Sequence, residues 1–352
     1  MSRPTKIALI CLGAIIILAV VFSLRGPLKG LPNTVSTIVN NATGNNLPVL
    51  AAKMPDFAGI TQWWNTPGSA PLTAAGLKGK VVLVDFWTYS CINCLRTLPF
   101  LKSLNDKYSP YGLVIVGVHT PEFAFESDPG NVGRAIKENG IMYPVALDAG
   151  YGTWNAYNNE YWPADYLFDT SGQLRETNFG EGNYNETEQA VRLLLADASD
   201  KILPPAGVVD TSPDFSLVKT PETYFGLDRG AAFMGQAGNA NTDVALTVAD
   251  APSPDKWTAG GVWRWEPEYV LTRAANDVFR FSVSASKLHL VLSSSDGKDK
   301  VIDVFVDGNS AGTFTVNAPD LYTVAEFPGG GRHTVEIRVH DAGVQFFSAT
   351  FS

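Results

Sequence analysis

Between Val81 and Cys94 the chain reads VVLVDFWTYSCINC. A run of β-branched and aromatic residues gives way to Thr-Tyr-Ser, and then to two cysteines separated by two residues. Leu95, Leu98, Leu101 and Leu104 follow at helical spacing. This pattern demands a buried strand that runs into a helix N-terminus, with two thiols one turn apart at the junction. Unpaired N–H groups and the dipole at a helix N-terminus stabilise a thiolate. Cys91 is therefore the expected exposed nucleophile. Cys94 lies beneath it and resolves, and Ser90 is the expected N-cap.

The remaining cysteine, Cys11, sits in an apolar run, so no disulfide framework is available. A structural zinc site needs four ligands. The chain offers four histidines and no second cysteine pair, so neither metal nor cofactor is expected. Asp85 stands inside the apolar strand, where a lone carboxylate costs free energy unless it is paired or protonated. One reading makes it the proton acceptor for Cys94, through water; the other is a strand-end Asp turned to solvent.

The middle region alternates. Lys80–Trp87 and Leu113–Val118 read as buried strands, with Cys91–Tyr108 and Asn131–Asn139 as helices. Tyr143–Leu147 is a short apolar piece. Ala164–Phe168, the turn 169–172 and Gln173–Thr177 read as a hairpin. Asn185 and Glu188 read as a capping box for a helix through Ala196. Such alternation predicts an α/β sheet covered on both faces. His119, Pro121 and Glu122 follow the second strand at its carboxyl end, where α/β sites gather. His119 is a candidate proton carrier near Cys91, or else a solvated or capping residue.

The Asp-Phe-Trp run ending in Ser-Cys-x-x-Cys resembles the thioredoxin superfamily. Pro99 matches the proline of that family's active-site helix, and Tyr161-Trp162-Pro163-Ala164 matches the position of its cis-proline. WTYSCINC, GVHTPEF at Gly117–Phe123 and NNEYWPADYLFD at Asn158–Asp169 are similar to the DipZ-like branch of membrane-linked, extracytoplasmic thioredoxins. The piece between the second strand and Pro163 is similar to the insertion of the related TlpA and ResA proteins. The resemblance covers roughly residues 54–196. It implies a thiol–disulfide oxidoreductase that reduces protein disulfides, with Trp162, Pro163 and Trp87 contacting substrate. Ile92-Asn93 replaces the Gly-Pro of cytosolic thioredoxin between the cysteines, and that dipeptide tunes the potential, so the direction of electron flow stays open. DipZ proteins carry a multi-helix electron-transfer domain in the membrane. With one hydrophobic span here, a separate membrane electron donor is expected.

Two other functions are compatible with these residues. A thiol peroxidase is one, since Thr88 stands three residues before Cys91 and Arg96 is near in sequence. The other is a surface protein that binds a glycan or a partner and uses the redox region as a scaffold.

The ends of the chain have different textures. Ile7–Leu24 is uncharged and, at ~1.5 Å per helical residue, spans roughly 27 Å. Residues 1–25 are thus expected to form a single membrane anchor with the folded part outside the cytoplasm; a cleaved signal peptide is the competing reading. Residues 26–53 read as a spacer and 54–203 as the thioredoxin-like domain. The net charge of −9 argues against a nucleic-acid partner.

After a connector at 204–226, short alternating runs separated by turns such as Asp296-Gly297 and Asp307-Gly308 predict an all-β, jelly-roll-like sandwich over 227–352. Within it, Ile302, Val304 and Val306 share one strand face, and Val301, Asp303 and Phe305 the other. DipZ-like proteins carry a similar domain that resembles a carbohydrate-binding module. Trp257, Trp263, Trp265 and Tyr269 are accordingly either a sugar-stacking platform or core.

Overall fold

The computed structural model describes residues 47–51, 53–210 and 215–352, so the expected anchor over residues 1–25 and most of the spacer lie outside the described residues. No helix among the described residues is long and apolar enough to cross a membrane.

Six strands form the first sheet: β1 (Gln62–Trp64), β2 (Val81–Trp87), β3 (Leu113–His119), β4 (Val145–Leu147), β5 (Ala164–Phe168) and β6 (Leu174–Phe179), in the order β1-β4-β3-β2-β5-β6. β2 pairs parallel with β3 and antiparallel with β5. Its residues are all buried, as a central strand covered on both faces requires. Side chains alternate across a strand, so Val82, Val84 and Phe86 join Ala164, Tyr166 and Phe168 in one core. Leu83, Asp85 and Trp87 face the opposite side.

Four helices accompany the sheet: α1 (Ile92–Tyr108), α2 (Pro129–Glu138), α3 (Gly152–Ala156) and α4 (Tyr184–Ala198). α2 starts earlier than the apolar periodicity suggests, because Asp128 caps it. The Asp128 carboxylate accepts the N–H groups of Gly130 (2.7 Å) and Asn131 (3.1 Å), and Pro129 needs no donor there. The capping box expected at Asn185 does not form. The helix begins at Tyr184, and Glu188 turns inward to the Tyr108 hydroxyl (2.5 Å) and the Gly207 N–H (2.8 Å).

The C-terminal region differs from the expected two-sheet sandwich. Its strands are β7 (Thr223–Tyr224), β8 (Asp243–Leu246), β9 (Trp257–Trp265), β10 (Val270–Thr272), β11 (Val278–Ser284), β12 (Lys287–Ser294), β13 (Lys300–Val306), β14 (Asn309–Val316), β15 (Asp320–Glu326), β16 (Arg332–Val339) and β17 (Val344–Phe351). They form one continuous sheet, β14-β13-β16-β11-β9-β10-β17-β12-β15, with β7 on β17 and β8 on β9. The sheet curls until it is nearly a barrel, its two ends approaching where β12 nears β14 and β13 nears β15.

The corner that keeps the sheet in one piece lies in β9. Trp257–Gly260 pairs with β11, whereas Gly261 onward pairs with β8 and β10. Gly261 bends the strand at φ 97°, and a Cβ there would lie 2.0 Å from Asp277 Oδ1. That oxygen accepts the Val262 N–H at 2.8 Å. Trp257, Trp263 and Trp265 lie inside the curl with Phe279, Phe281 and Phe346, so they are core and not a sugar platform. Tyr269 is half-buried against Phe347.

The curled sheet packs on the loop after β3. Phe123 and Phe125 meet Phe347 and Val291 in a small apolar cluster. Around it, Glu122 accepts from the Tyr224 hydroxyl (2.6 Å) and pairs with Arg229 (2.8 Å), and Arg134 pairs with Asp320 (2.7 Å).

Candidate active site

β2 ends at Trp87, and the chain turns through residues 88–90 into α1. Cys91, in extended conformation, is itself the N-cap, one residue later than expected: its Sγ accepts the Cys94 N–H at 3.4 Å. Ser90 is occupied elsewhere. Its hydroxyl donates to Glu126 Oε1 at 2.7 Å, and its N–H reaches the same oxygen at 3.3 Å. Both thiols are free; Cys91 is half-buried and Cys94 buried. Burial pushes the Cys94 thiol well up, with the hydrogen bond to Cys91 and its charge adding to the rise.

Asp85 is 1 % exposed, on the β2 face opposite Val84 and Phe86. Neither of its oxygens has a hydrogen-bond partner among the described residues. Burial raises its pKa well above the ordinary carboxylate range, and the Asp165 charge adds to this. The Asp85 charge is a further, smaller influence that raises the Cys94 thiol.

His119 is buried at the end of β3. Its Nε2 accepts the Tyr89 N–H at 3.2 Å, and its ring lies edge-on to Trp87. Burial lowers its pKa to about 3, so the ring is neutral. It braces the turn that leads to Cys91. Trp87 is fully buried at the end of β2. Trp162 is half-exposed, stacks near Trp154 and donates its indole N–H to Thr120 O at 3.1 Å. The Trp162–Pro163 bond is cis, and Pro163 is buried at the entry to β5. Arg96 forks onto Glu181 at 2.6 and 2.8 Å and reaches Asn93 at 2.7 Å. It is thus oriented to Glu181, while Thr88 faces His119.

Two buried acids were not singled out by the sequence reading. Glu126 accepts from Glu122 N–H (2.6 Å), Phe123 N–H (2.9 Å) and Ser90, tying the loop after β3 to the turn before Cys91. Burial raises its pKa to about 7. Asp165 lies opposite Asp85 on β5, and burial raises it as well. Each is a carboxylate inside an apolar run, the signal that marked Asp85.

Residues 50–194 match the family model described as redoxin, and residues 220–352 match that of a thioredoxin-like C-terminal domain. Over 305 residues the chain is 38% identical to Protein DipZ of Mycobacterium tuberculosis, an alignment covering 84% of this chain and 42% of DipZ. The chain therefore spans less than half the length of this relative. It is 34% identical over 149 residues to the thiol-disulfide oxidoreductase YkuV of Bacillus subtilis, covering 42% of this chain and 97% of YkuV. A solution structure of a thioredoxin-like protein in the oxidized form superposes with a TM-score of 0.38 at 34% identity, over 42% of this chain and 97% of that one.

Proposed function

Because this chain belongs to the thioredoxin-like thiol–disulfide oxidoreductases, we propose that it reduces protein disulfides outside the cytoplasm through the Cys91–Cys94 couple. One observation carries the reading: a half-buried Cys91 Sγ caps α1 and accepts the N–H of a buried Cys94. The first sulfur attacks a client disulfide, and the second attacks the mixed disulfide from below. Asp85 receives the Cys94 proton. The Trp162–Pro163 segment at the entry to β5 forms the docking edge for the client.

The uncharged run Ile7–Leu24 supports a single-pass anchor, and with it a separate membrane donor that returns electrons to the couple. For the C-terminal sheet we favour a bracing role over sugar binding, since its tryptophans are core and its outer face packs on the loop after β3. The peroxidase alternative is not favoured, because Arg96 is committed to Glu181 and Asn93.

The test is trapping. Cys94→Ser should accumulate a mixed disulfide between Cys91 and a client such as insulin, visible on a non-reducing gel. Cys91→Ser should form none and lose disulfide reduction. Rapid peroxide turnover with no disulfide reduction would reject the proposal in favour of the peroxidase.

A further inference from the structure

We propose that Asp165 is a second acid of the exchange site: it shares one proton with Asp85, and the pair takes up the proton that Cys94 releases when it attacks the mixed disulfide. This rests on the thiol–disulfide reading above and deepens it by naming a positioning residue that acts through Asp85.

The argument begins with register. β2 and β5 run antiparallel with Asp85 directly opposite Asp165. Opposed residues send their side chains to the same face, with Cβ atoms about 4.5–5.5 Å apart. The flanking residues Val84, Phe86, Ala164 and Tyr166 all go to the other face. Asp85 and Asp165 are 1 % and 4 % exposed, so both carboxyls are almost wholly withdrawn from solvent. Both Asp85 oxygens and Asp165 Oδ1 lack a hydrogen-bond partner among the described residues.

The other titratable groups acting on this space are Cys94 from α1, Tyr143 from the segment before β4 and Glu176 from β6. None of them is a cation. The Tyr143 hydroxyl is buried and also unpartnered among the described residues. Two carboxylates placed this closely, with no positive charge between them, do not ionise independently: the first proton leaves readily and the second is held. Burial raises both acids, in keeping with a pair that retains a proton near neutral pH.

The step balances as follows. With client sulfur bonded to Cys91, the Cys94 S–H passes its proton to the unprotonated member of the pair. The Cys94 thiolate attacks Cys91 Sγ. The Cys91–client bond breaks, the Cys91–Cys94 bond forms, and the client leaves as a thiolate that takes a proton from solvent. When a donor dithiol reduces the ring, the pair returns the proton to Cys94.

The experiment uses the full chain in detergent, reduced and mixed with 5,5′-dithiobis(2-nitrobenzoate) in a stopped-flow instrument. The first thionitrobenzoate released reports attack by Cys91. The second, in a phase independent of reagent concentration, reports attack by Cys94. Its rate is followed from pH 5 to 9. In Asp165→Leu, Asp85 has no partner to share its proton, so the carboxylate that accepts the Cys94 proton forms only at higher pH, and the midpoint of the second phase should move up by about one unit or more. An unmoved midpoint overturns the proposal.

Carbon-13 NMR of the unsubstituted reduced protein tests the same idea without a variant. Two coupled steps at Asp85 and Asp165 are expected, and independent titration of the two carboxyls overturns the sharing. Absence of any second phase in the unsubstituted protein overturns the parent reading, and this one with it.

Discussion

Around the two sulfurs, the question is which redox form the protein favours. A dithiol stabilised as its thiolate makes the disulfide a strong oxidant. Here Cys91 Sγ accepts one long hydrogen bond, at 3.4 Å from the Cys94 N–H, and Cys94 is buried. Burial, the hydrogen bond to Cys91 and the neighbouring charges hold the Cys94 thiol protonated, which does not favour its anion. The midpoint potential of the couple, titrated against dithiothreitol, should therefore lie nearer the roughly −270 mV end of this fold than the −120 mV end. A value above about −180 mV would contradict the reductive assignment. The buried acids add a prediction on stability. Burial raises the Asp165 carboxyl above its unfolded value. A carboxyl shifted this way favours the folded state below its unfolded pKa, and that advantage fades as pH climbs through the folded one. Parent and Asp165→Asn should thus have similar unfolding free energies at pH 4, and the variant should become the more stable by pH 8. Denaturant curves at the two pH values check this, and an equal gap at both sinks it. Asp85 was legible because a carboxylate interrupts VVLVDFW. The same interruption in ADYLF and FAFES carries no such signal, because neither lies beside a cysteine in sequence, and only strand pairing and the loop after β3 bring Asp165 to Asp85 and Glu126 to Ser90.

At the level of elements, local signals carried the redox region and failed in the C-terminal one. β2 and α1 are written in contiguous residues: seven buried positions, then leucines at helical spacing. Whether strands from 223 to 351 make two sheets or one depends on pairings between residues far apart, which alternation cannot specify. The deciding residue is Gly261. A side chain there would meet Asp277 Oδ1 and force a backbone that L-residues rarely adopt, breaking the Val262 N–H bond to that carboxylate. Gly261→Ala should lower stability by roughly 2–4 kcal/mol, summing backbone strain and a lost charge-assisted hydrogen bond. Chemical denaturation monitored by tryptophan fluorescence would report it, since Trp257, Trp263 and Trp265 flank the bend. A loss below about 0.5 kcal/mol, the range of neutral surface changes, would show that β9 can turn the corner without glycine.

Across the whole molecule, the curled sheet is connected to the attacking sulfur by a short chain of contacts. Phe347 on β17 packs edge-on against Phe123 and Phe125, with ring centroids 5.2 and 4.9 Å away. Those two residues belong to the loop whose Glu126 holds Ser90, and Ser90 precedes Cys91. Tyr89 adds a parallel tie, its hydroxyl donating to Pro319 O at 3.2 Å. The ion pairs at the rim, Arg229–Glu122 and Arg134–Asp320, are partly exposed and contribute roughly 0–1 kcal/mol each. The aromatic cluster therefore dominates the attachment, and truncating its centre by Phe347→Ala should cost about 3 kcal/mol. The loss should be transmitted along the chain of contacts. Hydrogen exchange at the Ser90 and Phe123 amides should quicken and alkylation of Cys91 should accelerate, while β13 and β14, on the far part of the sheet, keep their protection. Uniform loss of protection across all strands would instead mean that Phe347 supports the sheet itself. Unchanged exchange at Ser90 would mean that the C-terminal region has no hold on the redox turn.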